Sequence, residues 1–213
     1  MKVNAPEYIK AQYEAQFDND LPKVIIWGDS ISLGYRQFVI KALKGKAVAV
    51  RKSIGTTGKA LEYIDMWLAE RKWDVIHFNN GLHDLCYRHP DSKLYGNRDK
   101  INGTIATTPE EYEKNLEQIV KKLKKSGAKL IWASTTYVPK GEGGRVFGDD
   151  LVYNKIAEKI MKKYDITIND LNATSRKIHP NYGGKGDVHY NKDGSKILGD
   201  QVVEAILKKL DEK

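Results

Sequence analysis

Apolar residues fall along the chain in two alternating rhythms. Lys23-Val24-Ile25-Ile26-Trp27 is nearly continuous in apolar side chains and of strand length, and Leu33, Phe38, Ala42 and Leu43 then recur at helical spacing. Ala47 to Val50 predicts a second short strand. The glycine-bearing loop Ser53-Ile54-Gly55-Thr56-Thr57-Gly58 follows, then a helical pattern through Ala60, Leu61, Ile64, Trp67 and Leu68. A third strand runs from Trp73 to Phe78 and ends at Asn79-Asn80-Gly81. Thr108-Pro109-Glu110-Glu111 predicts a helix start, with Thr as N-cap, Pro in the first turn and Glu reaching back; Gly127 predicts its stop. Strand four covers Lys129 to Ala133, and a helix carries Leu151, Val152, Ile156, Ile160 and Met161. Strand five lies at Ile166 to Ile168, and a last amphipathic helix runs from Gly194 to Leu210.

Strand–helix alternation predicts an α/β domain around a buried parallel sheet. The 213 residues fit one domain, 1–213, with residues 1–22 as an N-terminal extension. Two stretches read as loops set onto it: 87–107, and 139–149 with four glycines. In open α/β sheets ligands bind beyond the carboxyl ends of the strands, so both loops are expected near a functional site.

A content of 40% hydrophobic and 30% charged residues excludes a disordered chain. No stretch approaches the roughly 18–20 apolar residues of a membrane span. The first 22 residues lack the apolar core of a secretory leader, so a cytoplasmic protein is expected if that N-terminus is native. A single cysteine, Cys86, excludes an intrachain disulfide. The net charge of +8 raises nucleic acid as a partner. However, the lysine runs Lys121-Lys122, Lys124-Lys125, Lys162-Lys163 and Lys208-Lys209 lie on polar helix faces among Glu and Asp, and no nucleic-acid-binding signature accompanies them. An anionic substrate stays compatible with the charge.

Three polar constellations fall at strand ends. In Trp27-Gly28-Asp29-Ser30-Ile31-Ser32 a serine follows a buried strand behind a glycine that permits a tight turn. Its N–H would sit at a helix start, where the macrodipole favours a developing oxyanion; an ordinary Ser or Asp helix cap accounts for the same residues. Ser32 stands where the α/β-hydrolase elbow has its second glycine. Asn79-Asn80-Gly81-Leu82-His83-Asp84 leaves strand three with amides and an imidazole able to donate to an oxyanion, and with residues that equally suit a turn. Gly186-Asp187-Val188-His189-Tyr190-Asn191 precedes the last helix and supplies a histidine with a nearby carboxylate, the pair that serine nucleophiles require. His83, Asp84, Cys86 and His89 are also metal-ligand types close together, but they follow no zinc spacing and no second ligand pair exists elsewhere, so no metal is expected.

In this order and at these strand ends, the constellations resemble the SGNH hydrolases, also called GDSL esterases/lipases. Gly28-Asp29-Ser30 matches the first block, Gly55 the glycine of the second, Gly81-Leu82-His83-Asp84 the third, and Asp187-Val188-His189 the fifth. The likeness spans Val24 to Leu210 and includes Thr135-Thr136 and Tyr153-Asn154. It implies a three-layer α/β/α, flavodoxin-like fold with a central five-stranded parallel sheet. It also implies cofactor-free hydrolysis of a carboxylic ester through an acyl-serine intermediate. By this resemblance Ser30 attacks, His189 is the base, Asp187 orients it, and Ser30, Gly55 and His83 form the oxyanion hole. Asp29 orders the turn.

Two positions depart from the family pattern. His83 replaces the third block's asparagine; a neutral histidine donates one N–H, and Asn79 or Asn80 is the alternative donor. Asp187 precedes the histidine by two residues where the family spaces them by three, and Gly186 holds that third place, which leaves a Ser–His dyad open. The candidate loops carry Tyr87, Arg88, Tyr95, Asn97, Arg98, Lys140 and Arg145 and no evident run of exposed apolar residues. A small-molecule or carbohydrate ester with a short, acetyl-type acyl group is the expected substrate, and Trp27 is placed to line an acyl pocket. The competing expectation is a catalytically weakened relative that binds glycans or anionic ligands.

Overall fold

The computed structural model describes residues 13–212. Residues 1–12 of the expected extension, and Lys213, lie outside the described residues. Five strands form one sheet in the order β2-β1-β3-β6-β7: β1 Lys23–Gly28, β2 Val48–Ser53, β3 Val75–Phe78, β6 Lys129–Ala133 and β7 Thr167–Asn169. Every pair in it is parallel. The chain therefore starts in the middle, moves out to β2, and returns past β1 to β3. Right-handed crossovers then place the connecting helices on opposite faces. Helix α1 (Ser30–Leu43) packs with α6 (Lys192–Asp211), which also holds α5 (Leu171–Tyr182). On the other side α2 (Thr57–Ala69), α3 (Pro109–Lys125) and α4 (Asp149–Lys163) pack in succession. This is the expected three-layer α/β/α arrangement, and its strand order is flavodoxin-like.

Covering on both faces explains the near-continuous apolar strands. Val24, Ile25, Ile26 and Trp27 of β1 are all buried, as are Val75, Ile76 and Phe78 of β3. Trp27 is 1% exposed and lies 4.9 Å from the Trp67 ring of α2. It belongs to the core, and the acyl-pocket role expected of it is corrected: at its place in β1 its side chain faces a helix layer. The cap of α3 forms as its sequence dictates, with Thr108 and Glu111 exchanging a full capping box.

Helix α5 escapes the hydrophobic pattern altogether. Of its buried residues Leu171, Asn172, Ser175, Ile178 and His179, three are polar, so helical spacing exists without an apolar stripe. Those polar groups are satisfied by neighbours whose identity only the folded chain reveals. The stretch 87–107, read as a loop, carries the two-stranded antiparallel pair β4 (Tyr87–Arg88) and β5 (Thr104–Ile105). No described helix is long and apolar enough to cross a membrane.

One core residue sets a pH limit on stability. His77, in the central strand β3, is fully buried; its Nε2 meets only the Asn169 amide at 3.3 Å and its Nδ1 has no partner. Burial pushes its pKa down to about 4. Between the ordinary histidine value and that depressed one, the unfolded chain holds a proton the folded chain does not. Stability due to this group is therefore present at neutral pH and is lost as pH falls. The expected loss from pH 7 to 4.5 is about 2 kcal/mol. Urea unfolding at both pH values should show a correspondingly smaller drop for His77→Gln; an unchanged drop would refute this assignment. Asp84, whose burial raises its pKa to about 6, works in the opposite direction and is common to both proteins.

Candidate active site

The order of the sheet reverses between β1 and β3, and the crevice at their carboxyl ends is where ligands of such sheets bind. In register, Gly28 of β1 lies beside Ser53 of β2, and Trp27 beside Phe78 of β3. Two bonds extend the ladder past the strands: Ile54 N–H donates to Gly28 O at 3.0 Å, and Asn79 N–H to Trp27 O at 2.8 Å. The three loops that carry Ser30, Gly55 and His83 thus leave the sheet at one level.

Asp29 caps α1 by accepting Ile31 N–H at 2.9 Å, so Ser30 is the first helical residue. Its hydroxyl is exposed, and Oγ lies 2.7 Å from His189 Nε2. The N–H groups of Ser30 and Gly55 donate to no other group among the described residues. The helix-cap role and the exposed serine coexist at this turn, because Asp29 takes the cap and leaves Ser30 free.

The histidine loop spans α5 and α6 and is closed by the bridge Gly183–Tyr190, with Asn191 N–H donating to Tyr182 O at 2.8 Å. Asp187 Oδ1 accepts from both His189 Nδ1, at 2.7 Å, and His189 N–H, at 3.2 Å. One carboxylate oxygen makes an Asx turn and orients the ring, which is how a spacing of two residues reaches a geometry usually built with three. Val188 between them is buried in the core, while the Asp187 and His189 side chains are 44% and 48% exposed. Burial pushes the Asp187 carboxyl up, but the side-chain and backbone bonds from His189 outweigh it and hold the group below the usual carboxylate range. Gly186 turns with φ +63° against Gly141 O, a place where a side chain would be strained. His179 Nε2 donates to Asp187 O at 2.8 Å, so the unforeseen helix α5 supports this loop directly.

At the end of β3 the polar residues divide their tasks. Asn79 Nδ2 donates to Ala133 O at 2.8 Å, and Asn80 Nδ2 to Gly55 O at 3.2 Å. Both amides are thus engaged with backbone, and Asn80 holds the Gly55 loop. Gly81, at φ +153°, allows Thr135 Oγ1 to reach Asn80 O at 3.0 Å; a Cβ there would collide with that hydroxyl. Thr135 is itself fixed by Asn154, which accepts its N–H at 2.7 Å and donates to its carbonyl at 2.8 Å. Asp84 is fully buried and accepts Thr57 N–H and Oγ1, both at 2.7 Å, locking this segment to the start of α2. His83 is half-buried. Burial depresses its pKa against the pull of Asp29, and Arg145, Arg88 and His189 lower it further, all of which favours the neutral imidazole.

The metal-type residues do not converge. Asp84 faces Thr57, Cys86 Sγ is 3.6 Å from Tyr87 O, and His89 Nδ1 accepts Asp91 N–H at 3.3 Å. Among the described residues no three His, Cys, Asp or Glu side chains group for a metal. The loop arginines expected to meet substrate are corrected as well. Arg145 is buried and donates to Leu82 O at 2.7 Å and to Glu142 at 3.0 Å; Arg98 also bonds Glu142, at 2.7 Å, and Arg88 donates to Gly96 O. These guanidiniums brace the loops. Exposed instead are Tyr95, one of the loop residues expected there, and Leu94, Ile101, Val146 and Phe147, apolar groups that the sequence pattern did not single out. Lys140 Nζ lies 5.4 Å from the Phe147 ring centroid.

No protein-family profile matches the chain, and no curated protein sequence matches it. Solved structures do share its fold. An acetyl xylan esterase superposes with a TM-score of 0.69 at 21% identity, over 86% of this chain and 99% of its own. A lipase/acylhydrolase from Enterococcus faecalis gives 0.72 at 17%, over 89% and 97%. An acetylxylan esterase from Geobacillus stearothermophilus gives 0.68 at 17%, over 90% and 95%. At these identities the likeness is one of architecture, and it agrees with the three-layer α/β/α fold described above.

Glu142 is a fully buried carboxylate that ties loop 139–149 to loop 87–107 through Arg98 and holds Arg145 of its own loop, which bonds the residue before His83. Removing one partner of a buried ion pair strands the other charge, at a cost of about 3–5 kcal/mol. Glu142→Ala should therefore unfold at lower urea and be cleaved first within residues 87–107 or 139–149 under limited proteolysis. Unchanged stability would show that the loops are held by other means.

Proposed function

We propose that this chain is a serine ester hydrolase of SGNH type, with Ser30 as nucleophile, His189 as base and Asp187 as orienting acid. The observation that carries this reading is the continuous hydrogen-bonded series Ser30 Oγ–His189 Nε2–His189 Nδ1–Asp187 Oδ1, with both junctions at 2.7 Å. Nucleophile, base and third group within hydrogen-bond reach are the arrangement that activates a serine hydroxyl. His189 takes the Ser30 proton as Oγ attacks the ester carbonyl, then passes it to the departing alcohol. A water deacylates the enzyme by the same route. The carboxylate of Asp187 stabilises the imidazolium, which favours a triad over a dyad.

The developing oxyanion is received by Ser30 N–H, at the positive end of α1, by Gly55 N–H, and by the neutral imidazole of His83. Commitment of the Asn79 and Asn80 amides to backbone carbonyls supports His83 as the side-chain donor of the three. For the substrate, a short acyl group on a carbohydrate-like alcohol is favoured by two features. The nucleophile lies open at the surface, and two of the structures sharing the fold are esterases of acetylated xylan. The exposed ring of Tyr95 offers an aromatic face of the kind sugars stack on.

A fluorophosphonate should add once to the wild-type protein, by intact mass, and not at all to Ser30→Ala. Absence of any adduct, together with no hydrolysis of p-nitrophenyl acetate, would overturn the hydrolase reading in favour of a non-catalytic binder. Asp187→Asn should lower kcat by roughly 10³–10⁴-fold; a near-normal rate would restore the dyad. Among p-nitrophenyl esters the acetyl compound should be turned over faster than the octanoyl, and the reverse order would sink the short-chain assignment.

A further inference from the structure

Behind the nucleophile turn lies a residue that the motif blocks do not include. Arg51 sits on β2 opposite Ile26 of β1 and extends past the end of the sheet. Its Nη2 donates to Gly28 O at 2.8 Å and to Asp29 O at 2.6 Å, its Nε donates to Ser32 Oγ at 2.9 Å, and Ser53 Oγ lies 3.4 Å from Nη2. All four partners are neutral. Ser32 Oγ donates in turn to Asp29 O at 2.7 Å, and Leu33 N–H donates to the same oxygen at 3.2 Å. Gly28 permits this closeness, since a Cβ there would lie 2.9 Å from Ser32 Cβ and Oγ.

Three donors therefore converge on Asp29 O, one of them cationic, and Asp29 O and Ser30 N–H are the two ends of one peptide group. Charge-assisted bonds to a carbonyl are about twice as strong as neutral ones. Donors on a peptide oxygen also polarise the N–H at its other end, because hydrogen bonds in series strengthen one another. The same bonds fix the plane of the peptide and hence the direction in which Ser30 N–H points. We propose that Arg51 is a positioning residue of the oxyanion hole, which aims and polarises the Ser30 N–H through the Asp29–Ser30 peptide. This rests on the reading of Ser30 as nucleophile. Ser32 acts as its relay, which gives a reason for a serine where the α/β-hydrolase elbow has glycine.

The test compares wild type with Arg51→Ala and Arg51→Lys on p-nitrophenyl acetate, at a temperature where circular dichroism shows each to be folded. Arg51→Ala should lose about tenfold or more in kcat with KM changed less than about twofold, since the interaction is made in the transition state. The loss should be matched by an equal loss of affinity for phenylboronic acid, whose tetrahedral adduct uses the same hole. Added ethylguanidinium should restore part of the rate of Arg51→Ala, which a general loss of packing would not allow. Arg51→Lys, with a point charge and no fork, should fall between the two.

A folded Arg51→Ala with kcat within about twofold of wild type, or one whose kcat loss is not mirrored in boronic acid affinity, overturns the proposal. Should Arg51→Ala fail to fold, Arg51→Lys decides, because it keeps a cation and removes the fork shared between Gly28 O and Asp29 O. A several-fold drop in kcat at constant KM supports the proposal, and an unchanged kcat overturns it. A wild-type protein inert to fluorophosphonate would instead overturn the underlying hydrolase reading, so the two failures are distinguishable.

Discussion

The parallel pairing of β1 between β2 and β3 is the constraint on which the rest of the molecule depends. Both faces of the sheet are covered, so its strands must be apolar and its backbone groups must pair within the ladder. At the carboxyl ends the ladder runs on for one more bond on each side, from Ile54 to Gly28 and from Asn79 to Trp27. Three loops are thereby delivered side by side at the crevice. A slip of one residue in either pairing would move every side chain of the strand to the opposite helix layer. The register of the core and the geometry of the site are thus one fact.

Around that crevice the protein spends its buried polar groups on holding backbone. Asn79, Asn80, Thr135, Asn154, Asp84 and Arg51 all bond to main chain close to the proposed chemistry. The groups assigned to the reaction, Ser30, His189 and Asp187, are comparatively open to solvent. Such a division suits a reaction whose rate rests on preorganised donors, because each donor is fixed before substrate arrives and costs no reorganisation during the reaction. The loops 87–107 and 139–149 follow the same logic. Arg98 and Arg145 converge on Glu142, and Tyr95, Phe147 and their apolar neighbours are left exposed.

Much of the fold was legible because burial on both faces forces a pattern that reads directly from sequence. The strands at Val24, Val75 and Leu130, and the capping box at Thr108, stand where the apolar runs and the cap residues put them. Helix α5 was not legible. Its inward face is Asn172, Ser175 and His179, and a polar stripe looks like a solvent face until the partners are known. For the same reason Arg145 read as a ligand-binding side chain. A guanidinium in a glycine-rich loop gives no sign that a buried glutamate three residues away already holds it.

By itself, the sequence determined the layers of the domain and the identity of the residues at the strand ends, because hydrophobic spacing and turn chemistry are local. Ser30, His83, Asp187 and His189 stood out at strand ends in this way, whereas Gly55 and the roles of all five came from the resemblance to the SGNH hydrolases. Only the tertiary structure decided that Ser30 Oγ and His189 Nε2, 159 residues apart, meet at 2.7 Å. It alone decided that a spacing of two lets Asp187 bond the imidazole through an Asx turn, that Asn79 and Asn80 each hold a backbone carbonyl, and that Arg51 stands behind the turn. These are matters of which groups pair across the sheet, and long-range pairing is fixed by packing and register, which no single segment encodes.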